Sequence, residues 1–217
     1  MEYLVNEQNY GISLILNNVM DDNSSDLIAL QNTLPKIGYN IISKKVENSQ
    51  EIEDICLYVS QNIDHSEYAS FLCILFAHQI EDSYSLISKD GTSSILDINK
   101  LIKCFSKSKT LKEKPKLFIL QVNKLDNNIL LNEAKLPCPI KINEDFLIVF
   151  SHIFQNSCSS SHFIQEFCFI LENSKEELDI CSILTRINRN LHLKQNLTSI
   201  VSFISCLRKK FTIRNNN

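Results

Sequence analysis

Residues 114–123, KPKLFILQVN, decide how the chain reads. Pro115 marks a turn, residues 117–120 are an apolar run of strand length, and the chain opens into a polar loop after Gln121. A short run that is apolar throughout suits a strand covered on both faces of a parallel sheet. A second run of this kind, residues 71–77 (FLCILFA), ends in His78. In open α/β sheets the chemistry lies beyond the carboxyl ends of the strands. His78 and the residues that follow Leu120 are therefore the candidate site.

Around these two runs, strand and helix patterns alternate. Residues 10–16 (YGISLIL) read as a first strand, ended by Asn17 and Asn18. Ser24 or Ser25 can cap a helix through Leu34, with Leu27, Leu30 and Leu34 on one face, and Pro35 closes it. Gly38 turns the chain into a strand over 39–43, and Ser49 starts a helix over 49–62 with Ile52, Ile55, Cys56 and Val59 as its apolar stripe. Residues 84–87 with Lys89, Asp90 and Gly91 predict a hairpin. A helix over 95–105, a strand over 146–150 and helices over 161–171 and 175–190 follow, and residues 197–207 hold a last apolar strand. This alternation predicts a doubly wound α/β architecture in a single domain.

Several segments resemble landmarks of the caspase catalytic domain, in the same order and spacing. They are Asp26-Leu27-Ile28-Ala29-Leu30, Ala77-His78, Lys89-Asp90-Gly91, the 114–121 stretch and Asp145-Phe146-Leu147. Phe163-Ile164-Gln165, residues 183–189 (ILTRINR) and Lys194-Gln195 continue the series. The resemblance covers residues 10–213 and implies a six-stranded, mostly parallel sheet flanked by helices on both faces. It divides the domain over 1–217 into a large-subunit-like part (about 8–125), a short linker (about 126–143) and a small-subunit-like part (about 144–214). The few residues before the first strand predict no attached death-fold recruitment domain.

The caspase signature is Q-A-C-[RQG]-G, with a histidine about 50 residues upstream. Here those five positions read Gln121-Val122-Asn123-Lys124-Leu125. The resemblance puts His78 at the catalytic histidine, Gln121 at the motif glutamine and Asn123 at the nucleophile. An asparagine amide cannot replace the thiolate in acyl transfer. The glycine that shapes the oxyanion pocket is Gln79 here. Two arginines of the family hold the substrate aspartate, as bidentate guanidinium pairing suits a carboxylate. One precedes the first helix, where residues 19–25 contain no arginine; the other falls in 157–162, again without one. Nucleophile and both arginines are absent together, so the resemblance implies a pseudoenzyme. Asp126 is the only aspartate before Asp145 at which the linker could be cut.

The final apolar stretch has two readings. An unpaired edge strand without charges is an aggregation hazard; in caspases the equivalent strand pairs with that of a second protomer. Ile200, Val201, Ser202, Phe203 and Ile204 are thus expected at a dimer interface, with an active caspase or a second copy as partner. The expected function is regulation of an active caspase, and so of apoptosis, by heterodimerisation. Two other readings stay open: a cysteine hydrolase using Cys138 or Cys158 as a displaced nucleophile, and an adaptor for a non-caspase partner.

Composition bounds the rest. At 217 residues, 44% hydrophobic and 22% charged, the chain can bury a sizeable core. A net charge of −3 gives no footprint for nucleic acid, and the Arg208-Lys209-Lys210 cluster reads as solvated surface. No apolar run reaches the roughly 20 residues that span a bilayer, and the N-terminus has no signal-peptide pattern. Of eight cysteines, Cys56, Cys73, Cys168, Cys181 and Cys206 lie in apolar runs, as small buried hydrophobes do. No CxxC pair suggests zinc, and no metal or cofactor is expected. His152 and His162 read as surface or loop residues. A reduced, cytoplasmic setting is the expectation.

Overall fold

The structure is a computed structural model and describes residues 1–4, 9–18, 24–80, 83–87, 92–124, 140–153, 161–174, 178–193 and 199–213. Its main path is a six-stranded sheet in the order β2 (Tyr39–Lys45), β1 (Gly11–Asn17), β3 (Ser70–Ile80), β6 (Lys116–Lys124), β7 (Phe146–Ile153) and β9 (Ser199–Ser205). All neighbours on this path are parallel except β7 and β9, which are antiparallel. The hairpin β4 (Ser83–Ile87) and β5 (Ser93–Ile95) hangs from the far end of β3. A two-residue pair, β8 (Leu178–Asp179) with β10 (Thr212–Ile213), lies apart, so β9 ends the main sheet but not the chain.

Two apolar layers cover the sheet, as its doubly apolar central strands require. Helices α1 (Ser25–Lys36), α4 (His162–Asn173) and α5 (Ile180–Leu193) pack on one face, over Ile74, Phe76, Ile119 and Val149. Helices α2 (Ser49–Asn62) and α3 (Ile98–Ser106) cover the other, over Cys73, Leu75, Phe118 and Phe150. On this second face Phe71, Phe105, Phe118 and Phe146 form a chain of rings with centroids 4.4 to 5.6 Å apart. Gly11 opens β1 because a Cβ there would lie 2.7 Å from the Ser70 carbonyl oxygen and against the Tyr39 ring.

Several element boundaries differ from the sequence reading, each for a local reason. Pro35 sits inside the last turn of α1, which runs on to Lys36. The cap of α2 is Asn48, whose side chain accepts from the Glu51 amide; α3 starts at Ile98 because Asp97 accepts from Asn99. The fifth helix begins only at Ile180, since Leu178 and Asp179 pair with β10. The largest difference is β6. It continues through Gln121 and Asn123 rather than opening into a loop, because β3 and β7 bond it on both sides as far as Asn123.

The basic cluster before β10 lies at the surface, with Arg208 and Lys210 exposed, and it also forms a latch. Arg208 donates two hydrogen bonds to the buried Asp145 carboxylate, at 3.0 and 2.6 Å, and the Tyr3 hydroxyl donates a third at 2.6 Å. Lys209 lies over the Tyr3 ring and Lys210 pairs with Glu2. Burial pushes the Asp145 carboxyl up, but the bonds from Arg208 and Tyr3 outweigh it and hold it below its ordinary value. His152 is likewise buried, in β7, and Cys206 is exposed while Cys181 is half-buried. In each case a neighbouring element, rather than local hydropathy, sets the exposure.

Two tests follow from this packing. Phe118→Ala, which removes one of the two inner rings, should cost about 3–5 kcal/mol in urea unfolding. Arg208→Ala should lower the urea midpoint at pH 7, because it leaves the buried Asp145 carboxylate without its guanidinium partner. A depressed folded pKa gives stability that is complete above the unfolded value, near 4, and disappears as pH falls through the folded one. The gap between wild type and Arg208→Ala should therefore narrow below about pH 4; a gap independent of pH would rule out the ionic latch.

Candidate functional site

The parallel ladder between β3 and β6 pairs His78 with Asn123. The two residues thus stand side by side on adjacent strands, about 4.8 Å apart along the sheet, at the carboxyl end where such folds do their chemistry. Both fall on the face covered by α1, α4 and α5, because residues two apart on a strand share a face and Phe76 belongs to that layer. His78 is half-buried; its buried Nδ1 has no hydrogen-bond partner among the described residues, and burial lowers its pKa. Gln79 follows in β3, its backbone between Tyr84 and Lys124.

One pleat deeper lies Gln121, 1% exposed. Its amide nitrogen donates to the Ser151 carbonyl at 3.2 Å, and its oxygen accepts from the Ser161 hydroxyl at 2.7 Å. Ser161 caps α4, accepting from the Ile164 amide. Its own amide donates to Asp26 at 2.6 Å, and Gln165 donates to the other Asp26 oxygen at 2.7 Å. Asp26 sits in the first turn of α1, fully buried; desolvation raises its pKa although both hydrogen bonds oppose the shift. One carboxylate therefore ties the N-termini of α1 and α4 together, where helix dipoles favour negative charge. The floor beneath His78 and Asn123 is a closed polar network.

His78, Gln121 and Asn123 meet as the sequence spacing suggests. Asp26, Ser161 and Gln165 were not singled out as site residues, although a serine before an apolar helical run is a legible cap. Their convergence was hidden because 135 positions separate Asp26 from Ser161. Cys138, Cys158, Asp126 and residues 19–23 and 157–160 lie outside the described residues. His162 is half-buried at the start of α4, and His152 lies on the opposite face, its ring 6.5 Å from that of Tyr84.

The site's chemistry is set by what its groups can hold. A neutral imidazole can accept a proton; an amide at Asn123 can donate and accept hydrogen bonds but offers no thiolate. Among the described cysteines, burial pushes the Cys73 and Cys168 thiols up to about 12, and Cys56 also rises. Such thiols are inert. No group of side chains among the described residues could hold a metal ion, and no helix of the described residues is long and apolar enough to cross a membrane.

The chain is similar to known proteins in sequence and in fold. The chain is 27% identical to caspase-3 of Oryctolagus cuniculus and 28% identical to caspase-3 of Felis catus, in each case over 94% of this chain and 84% of the relative. The solved structure of pro-sf-caspase-1 superposes with a TM-score of 0.76 at 22% identity, covering 98% of this chain and 97% of that one; this is a likeness of fold. The family model described as "Caspase domain" matches residues 3–212, nearly the whole sheet and both helical layers, and the chain therefore belongs to the caspase family.

Proposed function

We propose that this chain is a catalytically inactive caspase homologue that regulates an active caspase, and so apoptosis, by pairing with it through β9. The observation that carries the reading is Asn123 at the strand end beside His78. A caspase needs a thiolate there, activated by a histidine, and an amide supplies none. The absence of arginines from 19–25 and 157–162 argues further against a decoy that captures aspartyl substrates. Gln79 at the glycine of the oxyanion pocket points the same way.

Members of the family typically dimerise, and β9 supports a retained interface. It ends the main sheet with no charged residue in its seven positions, and Val201, Phe203 and Ile204 are left half-exposed. Regulation is then a matter of populations. Pairing that favours the partner's active conformation activates it, and pairing that favours the inactive one inhibits it. The two chains would meet in the cytoplasm.

Titration of the purified chain into active caspases, with an aspartyl reporter peptide, tests both halves of the reading. The chain alone should hydrolyse nothing, and one partner should change its rate as the chain is added. Hydrolysis by the chain alone would return the displaced nucleophiles Cys138 and Cys158 to the front, and a flat response from every caspase would leave an adaptor. Ser202→Asp, which puts a charge in the middle of the unpaired edge, should lower association with the caspase at least tenfold in a binding assay. Unchanged association would exclude β9 as the contact.

A further inference from the structure

We propose that the outer face of α5 is a docking groove for an extended acidic segment of a partner protein, with Arg186 and Arg189 holding two of its carboxylates. The inference is separate from the pairing of β9 and from the state of position 123. It begins from periodicity. Ile180, Ile183, Leu184, Ile187 and Leu191 are buried and define the inner face of α5. Ser182, Arg186, Arg189 and Leu193 follow at spacings of four, three and four, so they form one line along the outer side. All four are exposed. The line borders a groove of about 790 Å³, whose described lining also includes Thr185 and Asn190 and contains no carboxylate. That composition runs against the chain, which has 25 acidic and 22 basic residues.

The second observation is what the arginines lack. Neither guanidinium has an ion pair or a hydrogen bond among the described residues. The acidic side chains beside α5 are engaged otherwise: Asp179 accepts from the Ser182 amide, and the buried Glu166 accepts from Asn190. Two like charges three residues apart on a helix repel each other. Arg186 stands two turns before Leu193, the last residue of α5, and so lies beyond the reach of the helix dipole. A carboxylate on each arginine removes this repulsion.

Spacing then selects the ligand. A guanidinium fork pairs both oxygens of a carboxylate, which fixes orientation as well as charge. Arg186 and Arg189 are about 4.5 Å apart along the axis, and Leu193 lies about 6 Å further. Side chains on one side of an extended peptide repeat about every 6.6 Å, and the length of an arginine side chain absorbs the difference. A segment of the pattern acidic-X-acidic-X-apolar therefore meets Arg186, Arg189 and Leu193 in turn. From Ser182 to Leu193 the line runs about 16 Å, the span of about five extended residues. An inorganic anion would use the arginines and leave Ser182 and Leu193 idle. At the other end of the groove the Cys181 thiol hydrogen-bonds the Ser205 side chain, so a segment held there lies beside β9. The chain thus offers partners two contacts of different chemistry, one apolar and one cationic.

Fluorescence anisotropy of a labelled peptide, Gly-Ser-Glu-Ser-Glu-Ser-Leu-Gly, titrated with the full chain tests the groove. Binding should saturate, and it should weaken about tenfold between roughly 50 and 500 mM NaCl. The same peptide with glutamine for both glutamates should not bind. Arg186→Gln and Arg189→Gln should each weaken binding about fivefold, and Leu193→Ser about threefold. Circular dichroism should be unchanged in all three, since the side chains are exposed. Lys103→Gln, on α3 at the other face of the sheet, removes the same charge and should bind as wild type. An equal loss in Lys103→Gln would reduce the effect to general charge, and full binding by both arginine variants would remove the groove; either result overturns the proposal. So does a loss confined to the arginine variants, with displacement by inorganic phosphate as effective as by unlabelled peptide, which would make the groove a simple anion site. None of these readouts involves a caspase or β9, so the regulatory reading stands or falls separately.

Discussion

The double ladder that holds β6 between β3 and β7 is the constraint on which the rest of the molecule depends. Every backbone group of a buried strand has to be bonded, and β6 meets this through Asn123 on one side and Lys124 on the other. Its side chains can then be apolar on both faces, with Phe118 and Leu120 toward α2 and α3 and Ile119 toward α1 and α4. Pairing in this register is also what puts His78 beside Asn123. A slip of one residue would turn Gln121 into the opposite layer and empty the site.

Polar groups buried at the two ends of the sheet work differently. At the carboxyl end Asp26, Ser161, Gln165 and Gln121 satisfy one another, so the helix N-termini are tied to the strand that carries Asn123. At the amino end Asp145 receives Arg208 and Tyr3, joining the first residues of the chain to the segment after β9. Networks of this kind are costly when half-made and rigid when complete. The fold thus keeps a well-ordered site floor whatever residue occupies position 123.

The two edges of the sheet contrast in the same way. The outer strand β2 ends in Ser43, Lys44 and Lys45, exposed and polar, a common protection against edge-to-edge association. β9 has no charged residue in its sequence; Ser202 and Ser205 are exposed, and Val201, Phe203 and Ile204 are half-exposed.

By itself the sequence determined the alternation of elements, the two apolar central strands and the residues at their carboxyl ends, because strand and helix periodicity and the family's motif spacing are local. His78, Gln121, Asn123 and the uncharged final stretch were all legible in that way. Only the tertiary structure decided where β6 ends, since neighbours on both sides extend it beyond the apolar run. It alone made Arg208 a latch, buried His152 and Asp26, and exposed Cys206. These outcomes depend on partners remote in sequence, and a residue's own hydropathy contains no information about what will stand next to it.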